Sequence, residues 1–257
     1  MDAPVKLTII GMSGSYPGPD SAASCYLVEQ EHDGRVFRIV LDLGNGALGT
    51  LQRHVELDQV DAVLLSHLHA DHCLDLCGYY VVRKYSADGP WPRIPVYGPE
   101  GVADRMARAY DLPLDPGMNE EFEFRGFPGG DFSLGPFTVR TARVAHPVDA
   151  FAIRLEVGGR SLVYSGDTGA CDALVDLATG ADLLLCEASF LESMTYPPDL
   201  HLTGRQAAEH ANRAGVRHLV LTHIPPALDA KQVFREAESV YDGSDIDVAQ
   251  VGATYSL

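Results

Sequence analysis

The segment His67-Leu68-His69-Ala70-Asp71-His72 constrains this chain more than any other. Three imidazoles and a carboxylate fall within six residues, directly after the apolar run Ala62-Val63-Leu64-Leu65. That run reads as a strand ending at Ser66, which delivers its ligands at the mouth of a loop, where side chains i and i+2 point the same way. His69 and His72 then lie across the start of a helix predicted from Cys73 to about Tyr85. Four metal-competent groups in that compass suit a divalent cation. Imidazole together with carboxylate favours Zn²⁺, Mn²⁺ or Fe²⁺ over Ca²⁺.

Around the motif, short strands are predicted near 5–10, 24–29, 36–42 and 61–66, with a short helix near 47–54. Beyond the motif helix come a strand at 94–98, an amphipathic helix near 100–110 and a loop-rich segment over 111–130. A second strand series follows at 132–134, 137–145, 150–157 and 160–165. The latter half alternates: helix 170–178, strand 182–186, helix 204–214, strand 218–222, helix 230–241 and a last strand near 246–250. Two strand-rich halves, each with helices, predict two sheets packed face to face and covered outside by helices. With no linker and no repeat of fixed period, residues 1–257 read as one domain.

The charge balance narrows the partners. A net charge of −17, with 19 Lys and Arg and no dense run of them, argues against a grip on long nucleic acid. A bound metal pair adds about +4 locally, so a small anionic substrate is still drawn to one spot. No stretch approaches the apolar run of a membrane span. The N-terminus, Met1-Asp2-Ala3-Pro4-Val5-Lys6, runs into a strand without signal-peptide architecture. Five scattered cysteines (Cys25, Cys73, Cys77, Cys171, Cys186) argue against a disulfide framework and for a reducing cytoplasm. Cys73 and Cys77, one helical turn apart, read as small apolar side chains rather than a thiolate site. Tyr79-Tyr80 with Arg83-Lys84 reads as a helix packing its aromatic face. His32, His54, His210 and His218 read as surface or packing residues.

Four later positions sit at predicted strand ends or helix starts. His146 follows Thr141-Ala142-Arg143-Val144-Ala145, Asp167 lies in Ser165-Gly166-Asp167-Thr168, His201 precedes a helix, and His223 follows Leu219-Val220-Leu221-Thr222. Singly, each is an ordinary loop residue or N-cap. Together they gain weight, because strand ends in one α/β protein gather at one rim.

The ordered set His-x-His-x-Asp-His, His146, Ser-Gly-Asp-Thr and His223 resembles the metallo-β-lactamase-fold hydrolase superfamily over nearly the whole chain. The resemblance implies an α/β (α+β) four-layer αββα sandwich of two mixed β-sheets, with two metal ions, foremost Zn²⁺, at one edge. It implies that His67, His69 and His146 hold one metal, that Asp71, His72 and His223 hold the other, and that Asp167 bridges both. Homodimers are frequent in that fold.

The finer likeness is to the ribonuclease Z-like phosphodiesterase branch. It rests on His201 in His-Leu-Thr-Gly and on Glu187 at the end of Leu185-Cys186-Glu187. Transfer-RNA-maturing members carry a long arm between the third histidine and the bridging Asp. Here 20 residues separate His146 from Asp167, and the arm is absent. With Gly-Met-Ser-Gly-Ser-Tyr-Pro early and Val-Ala-His-Pro at His146, the chain is similar to actinobacterial cyclic-nucleotide phosphodiesterases.

The expected activity is therefore hydrolysis of a small phosphodiester, foremost a 3′,5′-cyclic nucleotide, to the nucleoside 5′-monophosphate. Asp71 would orient the attacking hydroxide, His201 would donate to the phosphoryl or leaving oxygen, and Glu187 would hold His201. The alternatives are a ribonuclease or oligonucleotide phosphodiesterase of the ribonuclease Z type, a lactonase or thioesterase, and a non-catalytic metal-dependent nucleotide sensor. Ser13, Ser15, Tyr16 and the 111–130 loop are the segments able to reach a nucleobase, and read otherwise as plain loop residues.

Overall fold

Alternating burial along the central strands fixes how many layers this chain needs. Every residue of Leu183–Glu187 is buried. Leu183 and Leu185 face one apolar core while Leu184 and Cys186 face another. Ile39 and Leu41 likewise join the inner core and Val40 an outer one. A strand apolar on both faces needs cover on both: a second sheet within, helices without. The protein, seen in a computed structural model that describes residues 4–257, has those layers. Met1-Asp2-Ala3, part of the N-terminus read as lacking a signal peptide, lie outside the described residues.

The first sheet holds β1 (Lys6–Ser13), β2 (Ala22–Ala23), β3 (Cys25–His32), β4 (Arg35–Leu41), β5 (Ala62–Leu64), β6 (Ile94–Gly98) and β7 (Phe122–Gly126). The second holds β8 (Phe132–Leu134), β9 (Phe137–Arg143), β10 (Phe151–Val157), β11 (Arg160–Tyr164), β12 (Leu183–Glu187), β13 (His218–Thr222) and β14 (Asp245–Val248). A last strand, β15 (Thr254–Ser256), returns to pair antiparallel with β1. The orders are β15-β1-β3-β4-β5-β6-β7, with β2 beside β1, and β14-β13-β12-β11-β10-β9-β8. Both sheets are mixed: β4 to β7 run parallel, as do β11 to β14. Helices α1 (Ala47–Leu51), α2 (Ala70–Cys73), α3 (Leu76–Lys84) and α4 (Val102–Ala109) cover the first sheet. Helices α5 (Asp172–Ala178), α6 (Gly204–Ala214) and α7 (Ala230–Glu238) cover the second. No helix among the described residues is long and apolar enough to cross a membrane.

Carboxyl ends of parallel strands gather at one rim, where α/β proteins build their sites. There β5 runs into His67–His72, β11 into Asp167, and β13 into His223, while β12 ends on Glu187.

Three expectations are corrected. The motif helix is two helices, because the Leu43 N–H takes the His72 carbonyl (2.7 Å) and the Asp75 N–H takes the Leu43 carbonyl (3.1 Å). The loop after β4 thus interrupts the ladder that a single helix needs. The supposed 111–130 loop contains β7, whose alternation of Phe122 and Phe124 with Glu123 and Arg125 is masked by flanking Pro and Gly. The strand β15 is short and polar, so no apolar period announces it. Elsewhere Tyr79 and Arg83 pack as a helix face should. The Tyr79 hydroxyl donates to the Leu57 carbonyl at 2.7 Å, and Arg83 lies buried over the Tyr79, Trp91 and Phe122 rings.

Candidate metal centre

Strand ends deliver the ligands from four parts of the chain. His67, His69, His146 and Asp167 bring one donor atom each within 4.8 Å of one another; Asp71, His72, Asp167 and His223 do the same. Asp167 belongs to both groups. His67 Nε2 lies 3.0 Å from His69 Nδ1, which lies 3.3 Å from His146 Nε2. In the second group His72 Nε2 is 3.1 Å from His223 Nε2, itself 3.2 Å from Asp71 Oδ2. Asp167 spans the two, with Oδ2 at 3.6 Å from His67 Nε2 and Oδ1 at 3.2 Å from His72 Nε2.

Surrounding groups decide which nitrogen faces inward. The buried Asp42 carboxylate accepts from His72 Nδ1 (2.7 Å), from the Tyr164 hydroxyl (2.7 Å) and from the Ser66 hydroxyl (2.7 Å). Having given its proton to Asp42, Ser66 Oγ accepts from His67 Nδ1 at 3.1 Å. Ser189 Oγ donates to the His223 carbonyl (2.7 Å) and so accepts from His223 Nδ1 (2.9 Å). His146 Nδ1 donates to the Leu200 carbonyl at 3.0 Å. In each ring the protonated Nδ1 leaves the Nε2 lone pair aimed at the cluster. His69 alone turns Nδ1 inward.

Such a shell fits two divalent cations. Lone pairs converging on lone pairs repel unless a cation sits among them. Nitrogen ligands about 2.0–2.1 Å from a tetrahedral ion lie roughly 3.3 Å apart, close to the spacing found here. Asp167 Oδ1 is buried without a hydrogen bond of acceptable geometry, as an oxygen reserved for a metal would be. Electrostatics agree. Burial works to raise the Asp71 pKa, yet His223 and His72 override it and hold the carboxyl well below the usual range. Asp167 behaves alike, burial being outweighed by His223, His72 and His67. Burial, then His72, drives His67 toward its neutral, ligating form. Burial works to lower the His72 pKa too, but Asp167 and Asp42 override it and raise the pKa well above the usual value. The buried anions thus hold a positive charge here that a bound cation would supply instead.

His201 stands at the edge of this cluster. Its Nδ1 lies 2.9 Å from Glu187 Oε1 and 3.9 Å from Asp167 Oδ2. Glu187 is fully buried and also accepts the backbone N–H groups of Thr168 (2.8 Å) and Ser189 (3.2 Å). Burial works to lower the His201 pKa, but the Glu187 carboxylate prevails and raises it to about 9. The rest of the His-Leu-Thr-Gly segment fixes the backbone around His201. Leu202 is buried, and Thr203 forms a capping box with Gln206. At Gly204 a Cβ would meet the Val233 carbonyl oxygen at 2.2 Å, so no side chain fits against α7.

All nine residues singled out in the sequence therefore lie at or beside one cluster. Of the other histidines, His210 packs inside, accepting from the Cys171 N–H and donating to the Gln206 carbonyl. Cys73 is buried and belongs to no metal-capable group among the described residues. Sequence reasoning missed Asp42, Tyr164 and Ser189. Asp42 carried one signal, an acidic residue ending the apolar strand Ile39-Val40-Leu41, the same pattern as Glu187. Asp42→Asn is expected to weaken cation binding at the His72 position about 10–100-fold. Chelator competition measures it, and unchanged affinity would remove Asp42 from the site.

Comparison with known proteins agrees with this geometry. A family model for the beta-lactamase superfamily domain matches residues 37–224. Protein Rv1339 of Mycobacterium tuberculosis is 45% identical over 244 residues, covering 93% of this chain and 88% of that protein. A ribonuclease Z of Mycobacterium bovis is 34% identical over 257 residues, covering 89% of each. The crystal structure of YhfI, a metallo-beta-lactamase fold protein from Bacillus subtilis, superposes with a TM-score of 0.87 at 26% identity, covering 99% of this chain and 100% of YhfI.

Proposed function

The chain belongs to the metallo-β-lactamase-fold superfamily as a metal-dependent hydrolase related to ribonuclease Z, and on that premise we propose that it hydrolyses a small phosphodiester, foremost a 3′,5′-cyclic nucleotide. One observation carries this reading: an imidazole beside the cluster, His201, is tied at Nδ1 to a buried carboxylate, Glu187, at 2.9 Å. An alkoxide expelled from phosphorus needs a proton as it departs, and His201 is placed and charged to supply it.

Two divalent cations, of which Zn²⁺ best suits the donor set, supply when bound an acidified water and charge neutralisation at the phosphoryl oxygens. The side chains do the rest. His67, His69, His146 and Asp167 would hold the first cation, and Asp71, His72, His223 and Asp167 the second. The Asp71 carboxylate accepts a hydrogen bond from the attacking water and orients it. His201, its Nδ1–H on Glu187, turns Nε2 toward the substrate. As the phosphorus–O3′ bond breaks, Nε2–H gives its proton to the departing O3′, and the product is the nucleoside 5′-monophosphate.

The ribonuclease reading is the second, favoured by the identity to a ribonuclease Z. Against long RNA stand the net charge of −17 and the hairpin of β10 and β11, joined by Gly158-Gly159 alone where an RNA-gripping arm would insert. The odd, scattered set of five cysteines in the sequence favours the cytoplasm as the place of action. A panel on metal-reconstituted protein tests the assignment, with cyclic AMP, cyclic GMP, 2′,3′-cyclic nucleotides, short RNA and a lactone side by side. The 3′,5′-cyclic nucleotides should give the highest kcat/KM. Preference for RNA or the lactone would overturn the reading, and tight cyclic-nucleotide binding without turnover would make the protein a sensor.

A further inference from the structure

Seven large apolar side chains among the described residues are exposed to water, and three of them lie near the metal cluster. Tyr16 (48% exposed), Val148 (39%) and Met194 (39%) all sit on loops that frame the metal cluster. Tyr16 follows Ser15, whose N–H lies 3.3 Å from His223 Nε2; Val148 lies two residues past His146; Met194 lies between Ser189 and His201. Tyr85, Tyr110, Leu114 and Val251 are exposed elsewhere, so it is the arrangement of the rings at this rim, not exposure alone, that sets it apart.

One part of that rim has a definite shape. The Phe190 ring meets the His201 ring edge-on, with centroids 5.2 Å apart and planes at 77°. On Phe190 the Tyr196 ring lies nearly parallel, at 4.6 Å and 15°. The three rings form a ladder leading outward from the proton donor to a half-exposed aromatic face. We propose that the Phe190–Tyr196 pair is the platform on which the substrate's nucleobase stacks while its phosphodiester lies at the cluster. The inference rests on the phosphodiesterase reading and adds the group that selects for a base.

Stacked rings suit a planar heterocycle better than an acyl chain, because every base has a π-face to offer. Glu192 and Glu236 lie near enough to raise the Tyr196 pKa, after burial, the larger cause. Their charge repels any further phosphate, so the platform fits the single base of a mononucleotide rather than a continuing strand. Of the segments able to reach a base but read as plain loop, Tyr16 is on this rim. Ser13 is buried, and residue Glu121 of the 111–130 segment packs on Arg83 in the outer helix layer.

Tyr196→Leu keeps apolar bulk and removes the ring; Tyr196→Phe keeps the ring. With cyclic AMP as substrate, Tyr196→Leu should raise KM about tenfold, as loss of one base–aromatic stack does, with kcat within about twofold, while Tyr196→Phe stays at the parental value. Ribose 3′,5′-cyclic phosphate, which has no base, should be handled alike by all three proteins. An equal KM for cyclic AMP in parent and Tyr196→Leu would overturn the platform. Binding of adenosine 5′-monophosphate, followed by saturation transfer to the base H2 and H8 protons, separates the two claims. If the parent turns over no cyclic nucleotide but saturates those protons and Tyr196→Leu does not, the platform stands and the cyclic-nucleotide assignment falls. Absence of base saturation in the parent, or its persistence in Tyr196→Leu, overturns the platform whatever the turnover.

Discussion

Replacing Asp167 with alanine is expected to empty both cation positions at once and to cut phosphodiester turnover by at least about 10³-fold. Each oxygen of this carboxylate serves one group: Oδ2 faces His67, and Oδ1 faces His72 and, at 3.4 Å, His223. It is buried and held anionic by the histidines around it, so its charge acts across a medium poor in water. Without it the first group keeps only neutral imidazoles, and the second keeps one carboxylate, Asp71, for two imidazoles. Removing other ligands should act on one side only. His69→Ala should lower the first cation's occupancy and leave the second, whereas Asp71→Ala should do the reverse. Elemental analysis of gel-filtered protein reads the stoichiometry directly, and Asp167→Asn, which keeps the volume, separates lost ligation from lost folding. Two retained equivalents in Asp167→Ala would end the bridging assignment.

The unequal legibility of this chain has physical causes. The ligands at His67–His72 stand out because one loop supplies four of them, so their chemistry is visible as local spacing. The layers stand out because strands such as Leu183–Glu187 are apolar on both faces, which only a covered sheet satisfies. Groups that act through a partner leave no local pattern. Asp42 lies 30 residues from the His72 ring it holds, and Ser189 lies 34 from His223. Nothing near either residue advertises the pairing. The helix break at Leu74 and Asp75 is of the same kind, since a loop from another part of the chain takes the His72 carbonyl. Phe190 and Tyr196 have no periodic setting at all; only the folded loop stacks one on the other and sets Phe190 edge-on to His201.

His201→Ala, in contrast to Asp167→Ala, is expected to keep both cations and still lose about 10²–10⁴-fold in kcat on a cyclic nucleotide, the worth of a positioned proton donor. His201 groups with Glu187 and His223 but belongs to neither of the two groups that share Asp167, so occupancy of those two positions should not follow it. The leaving group distinguishes a donor from a merely structural side chain. A ribose alkoxide needs the proton as it departs, whereas p-nitrophenolate leaves without one. The variant should therefore lose far less on bis-p-nitrophenyl phosphate than on cyclic AMP, and equal losses would make His201 a packing residue. Acidity gives a second readout. The donor acts only when protonated, and its pKa is raised from 6.5 to about 9, chiefly by Glu187 against the lowering effect of burial. Two nearby cations pull that value back toward neutrality. The alkaline limb of the kcat profile should then fall between those limits, with activity lost as pH rises through it. Glu187→Gln removes the charge that holds the proton and should move this limb to lower pH, while His201→Ala should abolish it. Full turnover by metal-loaded His201→Ala on cyclic AMP would take the proton out of the mechanism altogether.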